Sequence, residues 1–135
     1  MDLQDVMSVA ASGMKVQGTR LRLVAQNLAN ANSTGLAPGD DPYRRQTITF
    51  GNALDREMGV ELVEVQRTGV DPSPFPLHYD PGHPAADGDG YVLKPNVNTL
   101  LEMADMREAQ RSYEANLNTL SLARSMIQRT LDLLR

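Results

Sequence analysis

The chain has 135 residues and a formal net charge of −4, and it contains no cysteine. The length predicts one domain, and the acidic balance argues against a nucleic-acid-binding protein, which needs a basic face. The absence of cysteine excludes disulfides, thiolate zinc sites and cysteine nucleophiles. Aromatic residues are only 4% of the chain. Its buried surface must therefore come mainly from aliphatic side chains, as is typical of packed helices.

The N-terminal flank of the chain is predicted to be a long helix. All eight prolines lie between residues 38 and 95, and proline is excluded from helix interiors. In the N-terminal flank, apolar residues recur at alternating spacings of four and three residues, with Gln17 as the one polar member. This heptad pattern predicts a helix that packs lengthwise on another helix through a narrow seam. The predicted seam residues are Leu3, Met7, Ala10, Met14, Leu21, Val24, Leu28 and Ala31.

The C-terminal flank carries a similar stripe, and a helix is predicted from about Val97 to Leu134. Its seam residues are Tyr113, Leu117, Leu120, Ile127, Leu131 and Leu134. The two helices are predicted to pack as a coiled-coil hairpin. Narrow seams cover only one face of each helix, and a lone pair of this length is marginal in water. We therefore interpret the two stripes as assembly surfaces between molecules rather than as an ordinary intramolecular core.

The segment between the helices is predicted to be a small insert of loops and strands. Alternating side chains indicate strands within residues 43–50, 60–65, 75–79 and 91–93. The insert has few large apolar residues, so it cannot bury much surface on its own. The predicted fold class is therefore mainly α. Residues 1–36 together with 96–135 form a terminal helical domain, and residues 37–95 form the β/loop insert.

No motif in the sequence predicts catalysis. There is no phosphate-binding loop, no dinucleotide-binding fingerprint and no nucleophile elbow. His78 and His83 are the only histidines, and their proline- and glycine-rich segment lacks the third ligand that a metal site needs. We therefore predict no catalytic residue, no cofactor, no metal and no small-molecule substrate.

Arg44 and Arg45 are the candidate contact residues of the insert. Adjacent residues of a strand point to opposite faces, so one arginine can face its own subunit while the other reaches a neighbour. Guanidinium groups pair well with carboxylates, and the chain has an excess of acidic residues. We expect at least one of the two to make an inter-subunit contact. The alternative is a pair of solvated surface charges.

Both ends of the chain resemble the bacterial flagellar axial proteins, which share a heptad-bearing start with Ser12-Gly13-Met14 and a stretch like the Asn-Leu-Ala-Asn-Ala-Asn sequence at residues 27–32. Within that superfamily the chain is similar to the proximal rod proteins of the flagellar basal body, the FlgC type. The motifs that carry this narrower resemblance are Pro42-Tyr43-Arg44-Arg45, Asp71-Pro72-Ser73-Pro74-Phe75, Tyr79-Asp80-Pro81-Gly82-His83-Pro84, Gly90-Tyr91-Val92, Pro95-Asn96-Val97, Glu102-Met103 and Arg111-Ser112-Tyr113-Glu114-Ala115-Asn116.

The resemblance implies a structural subunit of a hollow helical rod that serves as drive shaft and export conduit. In this family the terminal helices of many subunits form the inner layer around the channel, and the insert lies further out. The implied partners are copies of the chain, other rod proteins, the membrane-ring protein and the rod-base adaptor protein. The implied location is the basal body, in the periplasmic space and the inner-membrane ring.

The resemblance also implies delivery by the flagellar type III export apparatus. The acidic and polar start of the chain has none of the features of a cleaved signal peptide. This agrees with the expected export route, which uses no cleaved signal. The alternative function is a soluble coiled-coil adaptor or export chaperone, which would bind a partner helix without polymerising.

Overall fold

The computed structural model describes residues 2–134, and it confirms a mainly helical protein with a small β region between two terminal helices. The elements in chain order are α1 (Leu3–Ala29), β1 (Gln46–Asp55), β2 (Val60–Val70), β3 (Leu77–Tyr79), β4 (Tyr91–Leu93) and α2 (Thr99–Leu133). The strands form two separate two-stranded sheets, β1 with β2 and β3 with β4. Within residues 2–134, no helix combines the length and the apolar character needed to cross a lipid bilayer.

Short polar side chains fix where each helix begins. The Asp5 carboxylate accepts a hydrogen bond from the Asp2 N–H (2.7 Å), as in a capping box at the start of α1. At α2, Asn98 Oδ1 accepts hydrogen bonds from the N–H groups of Leu100 (3.1 Å) and Leu101 (3.3 Å). Asn98 is therefore the N-cap, and α2 begins at Thr99 rather than at the predicted Val97.

β1 and β2 form a hairpin that is longer than the sequence alternation predicts. The alternation ends near residues 50 and 65, whereas the strands extend to Asp55 and Val70. Asp55 closes the turn because its Oδ1 accepts hydrogen bonds from the N–H groups of Glu57 (2.9 Å) and Met58 (3.2 Å). Gly59 ends the turn at φ +67°, a conformation that residues with side chains seldom adopt.

β3 and β4 pair antiparallel over three residues each, with Leu77 opposite Leu93, His78 opposite Val92 and Tyr79 opposite Tyr91. Of the predicted strand at residues 75–79, only Leu77–Tyr79 is a strand. β4 matches its prediction, and Gly90 before it has φ +86°. Val92 is the buried side chain of this small sheet, so the two faces of the sheet differ in exposure.

The described chain divides into two compact units. The first contains the described residues of 1–21, 48–67 and 107–135, and the second contains residues 22–47 and 68–106. Each helix contributes one segment to each unit. In the first unit the buried residues come from the two helices, whereas in the second unit they come from the helices together with the segment between them.

In the first unit, small residues bring α1 and α2 close together. A Cβ atom added to Gly13 would lie 2.7 Å from Asn116 Nδ2, whereas one added to Gly18 would lie 4.0 Å from Tyr113 Cε2. Arg20 of α1 pairs with Glu108 of α2 at 3.5 Å, so the helices run antiparallel. The close approach that glycine permits is therefore used at Gly13 and not at Gly18.

A second face of α1 in this unit packs against β2. The Ser12 hydroxyl donates to the Val9 carbonyl (2.7 Å) and accepts a hydrogen bond from the Val63 N–H (3.3 Å). Val16, one turn further along the helix, is 2% exposed. The N-terminal helix is thus covered on more than the single seam that its heptad pattern predicts, because the insert supplies a strand that lies on it.

We expect Gly18→Ala to raise the stability of the isolated chain by up to about 1 kcal/mol, the helix preference of alanine over glycine. Gly13→Ala should give no such gain, because its methyl group would meet the Asn116 amide at 2.7 Å. Chemical denaturation of the two variants and the parent chain measures the difference. Equal gains from both substitutions would contradict the close packing at Gly13.

Candidate functional site

The predicted seam of the N-terminal helix is at least partly buried within the single chain. Ala10 and Val24 are buried, and the other six members are partly buried. Ala31 lies just beyond the end of α1. Gln17, the polar member of the pattern, has a buried Oε1 for which the described residues offer no hydrogen-bond partner.

The predicted seam of the C-terminal helix divides into two groups. Tyr113, Leu120 and Ile127 are partly buried and lie at helical spacing with the buried Ala109 and Ala123. The other three members face solvent: Leu117 is 42% exposed, Leu131 58% and Leu134 80%. The stripe is therefore used within the chain at Tyr113, Leu120 and Ile127 and left uncovered at these three side chains, of which Leu134 lies just beyond the end of α2.

Further apolar side chains of α2 are also exposed. They are Leu100, Leu101, Met103, Leu122, Met126 and Leu133. Single exposed leucines are ordinary, but their number along α2 makes this helix the candidate interaction surface of the chain.

A buried polar cluster lies in the second unit, centred on Asn27, which is 0% exposed. Its Nδ2 donates to the Gln46 carbonyl (2.9 Å) and to Glu102 Oε2 (3.1 Å). Its Oδ1 accepts from the Gln46 N–H (2.9 Å) and from the Tyr43 hydroxyl (2.8 Å). An asparagine amide has two N–H donors and two acceptor lone pairs, so every hydrogen-bonding position of Asn27 is filled.

Glu102, also 0% exposed, is the charged member of the cluster. One carboxylate oxygen accepts from Asn27 and the other accepts from Arg45 Nε. The Arg45 guanidinium further approaches Asp71 (3.7 Å) and Asp105 (3.9 Å). A buried carboxylate is tolerated only when it is paired and hydrogen-bonded, and both conditions are met here.

Arg44, which like Arg45 lies just before β1, binds a different set of partners from those of Arg45. Its Nη1 donates to the carbonyls of Asp71 and Ser73, both at 3.0 Å, and its guanidinium lies 4.1 Å from the centre of the Phe75 ring. Asn96 supports the same loop by donating to the Asp71 carbonyl (3.1 Å) and accepting from the Arg45 N–H (2.8 Å). Both arginines thus have partners in their own chain, and an additional contact to a neighbour stays a prediction.

The cluster changes the proton affinity of three of its members. Burial, and then the charge of Glu102, raises the pKa of Tyr43. Burial lowers the pKa of Arg45, but the hydrogen bond and charge of Glu102, with Asp71 and Asp105, outweigh burial and raise it. Hydrogen bonds from Ser73, followed by the charges of the two arginines, lower the pKa of Asp71. Glu102 thus raises the pKa of both side chains that surround it here, Tyr43 and Arg45.

Sequence reasoning named Arg44 and Arg45 but missed the buried partners Asn27 and Glu102. The available signal was a polar residue at a core position of each helix. Asn27 stands three and four residues after the buried Val24 and Leu23, and Glu102 stands seven residues before the buried Ala109. Polar side chains rarely occupy buried positions unless their polar atoms are hydrogen-bonded.

The histidines do not form a metal centre with the other described residues. His83 Nε2 contacts the Thr34 hydroxyl at 3.2 Å, and its Nδ1 accepts from the Ala85 N–H at 3.0 Å. Within residues 2–134, no group of three or more His, Asp or Glu side chains is placed to hold a metal ion. His83 instead ties its loop to the segment that follows α1.

Comparison with known proteins identifies the family. A family model described as the C-terminal part of flagellar basal body rod FlgEFG proteins matches residues 89–133. The flagellar basal-body rod protein FlgC of Agrobacterium fabrum is 56% identical over 133 residues, which is 98% of this chain and 96% of that protein. The chain belongs to the FlgC family of flagellar basal-body rod proteins.

More distant members of the FlgC family match over the same length. The Salmonella typhimurium protein is 37% identical and covers 98% of each chain, and the Borreliella burgdorferi protein is 37% identical and covers 100% of this chain and 99% of its own. Membership confirms the resemblance that the sequence motifs indicate, with a structural rod subunit as the function and the basal body as the location. The adaptor alternative is not favoured.

We expect Glu102→Gln to destabilise the isolated chain by about 1–3 kcal/mol, because it removes the charge that pairs with Arg45 in a buried setting. Glu108→Gln is the matched control on the same helix. Glu108 also pairs with an arginine, but its side chain is 68% exposed, so we expect a loss below about 1 kcal/mol. Urea denaturation measures both values, and similar losses would contradict a special role of the buried pair.

We expect Tyr43 of the folded chain to ionise above the ordinary tyrosine pKa of about 10, because burial and then the charge of Glu102 raise its pKa. A raised folded pKa contributes stability that is present below the unfolded pKa and is lost as pH rises through the folded one. Tyrosinate absorbance during an alkaline titration measures the effect. Tyr43→Phe should remove the late component, and Tyr79→Phe, with its exposed ring, should keep it.

Proposed function

We propose that the chain forms part of the flagellar rod by packing its terminal helices lengthwise against helices of neighbouring subunits. The observation that carries this proposal is the group of exposed apolar seam residues on α2 and just after it: Leu117, Leu131 and Leu134. Water contact with these side chains is unfavourable, and burial releases roughly 25 cal/mol for each Å² of apolar surface. Packing in the assembly as a coiled coil would cover them.

The same proposal extends to the organisation of the subunit in the rod. Residues 1–36 and 96–135 would form the inner, axial domain around the export channel, and residues 37–95 would lie further out. Assembly would then combine helix seams near the channel with insert contacts outside it.

We propose further that the partners are copies of the chain, other rod proteins, the membrane-ring protein and the rod-base adaptor protein. Delivery would proceed through the flagellar export apparatus without a cleaved signal peptide, to the periplasmic part of the basal body and its inner-membrane ring. FlgC family membership is what supports the proposed partners, the proposed delivery route and the proposed location.

For Arg44 and Arg45, the proposal remains that at least one contacts a neighbouring subunit. Arg45 already faces Glu102, Asp71 and Asp105 within its own chain. Among residues 2–134, Arg44 binds carbonyls and an aromatic face, and no described carboxylate forms an ion pair with it. Its charge would therefore gain more from an acidic partner on a neighbouring subunit, so Arg44 is the better candidate.

We expect Leu131→Asp to prevent incorporation of the chain into basal bodies while leaving the fold of the free chain unchanged. Leu131 is already exposed in the single chain, so a carboxylate there costs little until a neighbour covers it. Asp132→Asn, at the exposed next position, is the matched control and should assemble normally. Circular dichroism checks the fold, and immunodetection in purified basal bodies, together with swimming, measures assembly.

Leu120→Asp offers a useful comparison, because Leu120 is partly buried within the chain. This substitution should lower the stability of the free chain as well as block assembly. Normal incorporation of the Leu131→Asp variant would show that this part of the seam is not an assembly surface.

A further inference from the structure

The β3–β4 sheet exposes an apolar face in the second unit. The strand register places Leu77, Tyr79, Tyr91 and Leu93 on the same side, opposite the buried Val92. Leu77 is 64% exposed and Tyr79 is 62% exposed. The two tyrosine rings meet edge to face with centroids 5.3 Å apart, which fixes a rigid aromatic edge on this surface.

A depression of about 230 Å³ adjoins this face. Leu77, Tyr91 and Leu93 form part of its wall, together with Ala85 and with Gly35 and Gly39 of the segment after α1. An apolar cavity of about 150 Å³ can hold a benzene molecule. The depression is therefore large enough to accept a leucine or methionine side chain.

The rim of the depression is acidic. Asp40 and Asp87 line it, and both are exposed. Each carboxylate is held in place by backbone donors, Asp40 by the Ala37 N–H (3.0 Å) and Asp87 by the Asp89 and Tyr91 N–H groups (3.0 and 2.8 Å). A partner for this surface should thus present a small apolar projection with a positive charge beside it.

A stripe on α2 has this chemistry. Leu122, Met126, Arg129 and Leu133 follow one another at spacings of four, three and four residues, and all four are exposed. Residues with these spacings share one face of a helix and form the usual set of anchors for docking into a groove. This face is distinct from the one that carries the buried Ala109 and Ala123.

We propose that the α2 stripe of one copy of the chain docks into the acidic-rimmed depression of β3–β4 on the next copy, with Arg129 facing Asp40 and Asp87. The two surfaces complement each other in charge and in the pairing of apolar projections with an apolar depression. They also differ from each other, so the contact is head-to-tail, which is the kind that builds open helical polymers. The inference rests on the proposed function because it specifies one contact within the rod.

Site-directed cross-linking tests the contact directly, because the chain has no cysteine of its own. Leu77→Cys and Met126→Cys are made separately and together, and purified basal bodies are treated with a short thiol cross-linker. The double variant should give a ladder of multimers. A mixture of the two single variants should give dimers only, and each single variant alone should give none.

Gln128→Cys in place of Met126→Cys is the matched control, since Gln128 is exposed on α2 but outside the stripe. It should give no ladder. Arg129→Glu should abolish most of the ladder of the double variant by placing a carboxylate against the acidic rim. Arg107→Glu makes the same change of charge at an exposed position of α2 that lies outside both the stripe and the predicted seam, and it should leave the ladder intact.

Three results would overturn the inference while leaving the proposed function standing. These are normal incorporation with no cross-link, a dimer from Leu77→Cys alone, and a cross-link to a different rod protein. Absence of the parent chain from basal bodies would instead overturn the proposed function. If the cysteine variants fold poorly, the two charge variants decide the question. Equal incorporation of Arg129→Glu and Arg107→Glu into basal bodies would contradict the inference.

Discussion

The buried pairing of Glu102 with Asn27 and Arg45 is the constraint on which the second unit depends. Removing a carboxylate from water costs several kcal/mol, so the position is stable only while both partners stay in reach. Asn27 comes from α1, Glu102 from α2, and Arg45 from the segment before β1. A shift of one residue between the helix segments would leave Asn27 and Glu102 buried without partners. The cluster therefore fixes the helix register within this unit by penalising the alternatives.

The first unit is held by different means. Its buried helical side chains are Ala10, Val16, Ala109 and Ala123, all at 3% exposure or less and none larger than valine. Small side chains and Gly13 let α1 and α2 approach closely, and Ser12 hydrogen-bonds the second face of α1 to β2. Close packing of small residues sets the distance between helices but specifies register weakly. The polar cluster thus fixes helix register in the second unit, and small apolar contacts set the distance between the helices in the first.

The structure explains why several of the motifs that identify the family contain the residues they do. Tyr43, Arg44, Arg45, Asp71, Asn96 and Glu102 are all motif residues, and all belong to one hydrogen-bonded network. Within the second unit, this network joins the insert to the ends of the two helices. The apolar residues that remain exposed on α2 take no part in this network, and they are the surface that the proposed assembly would bury.

The sequence by itself determined the two terminal helices, the small β insert between them and the family. Proline distribution and heptad spacing act locally along the chain, so they predict which segments are helical and which residues share a face. Ordered motifs along nearly the whole chain identify the FlgC family. Only the tertiary structure decided which stripe residues are used inside the chain: Tyr113, Leu120 and Ile127 are partly buried, whereas Leu117, Leu131 and Leu134 are exposed. It also decided that Arg45 faces Glu102, a residue 57 positions away. Burial and charge pairing depend on which distant segments meet, and a local periodicity carries no information about that.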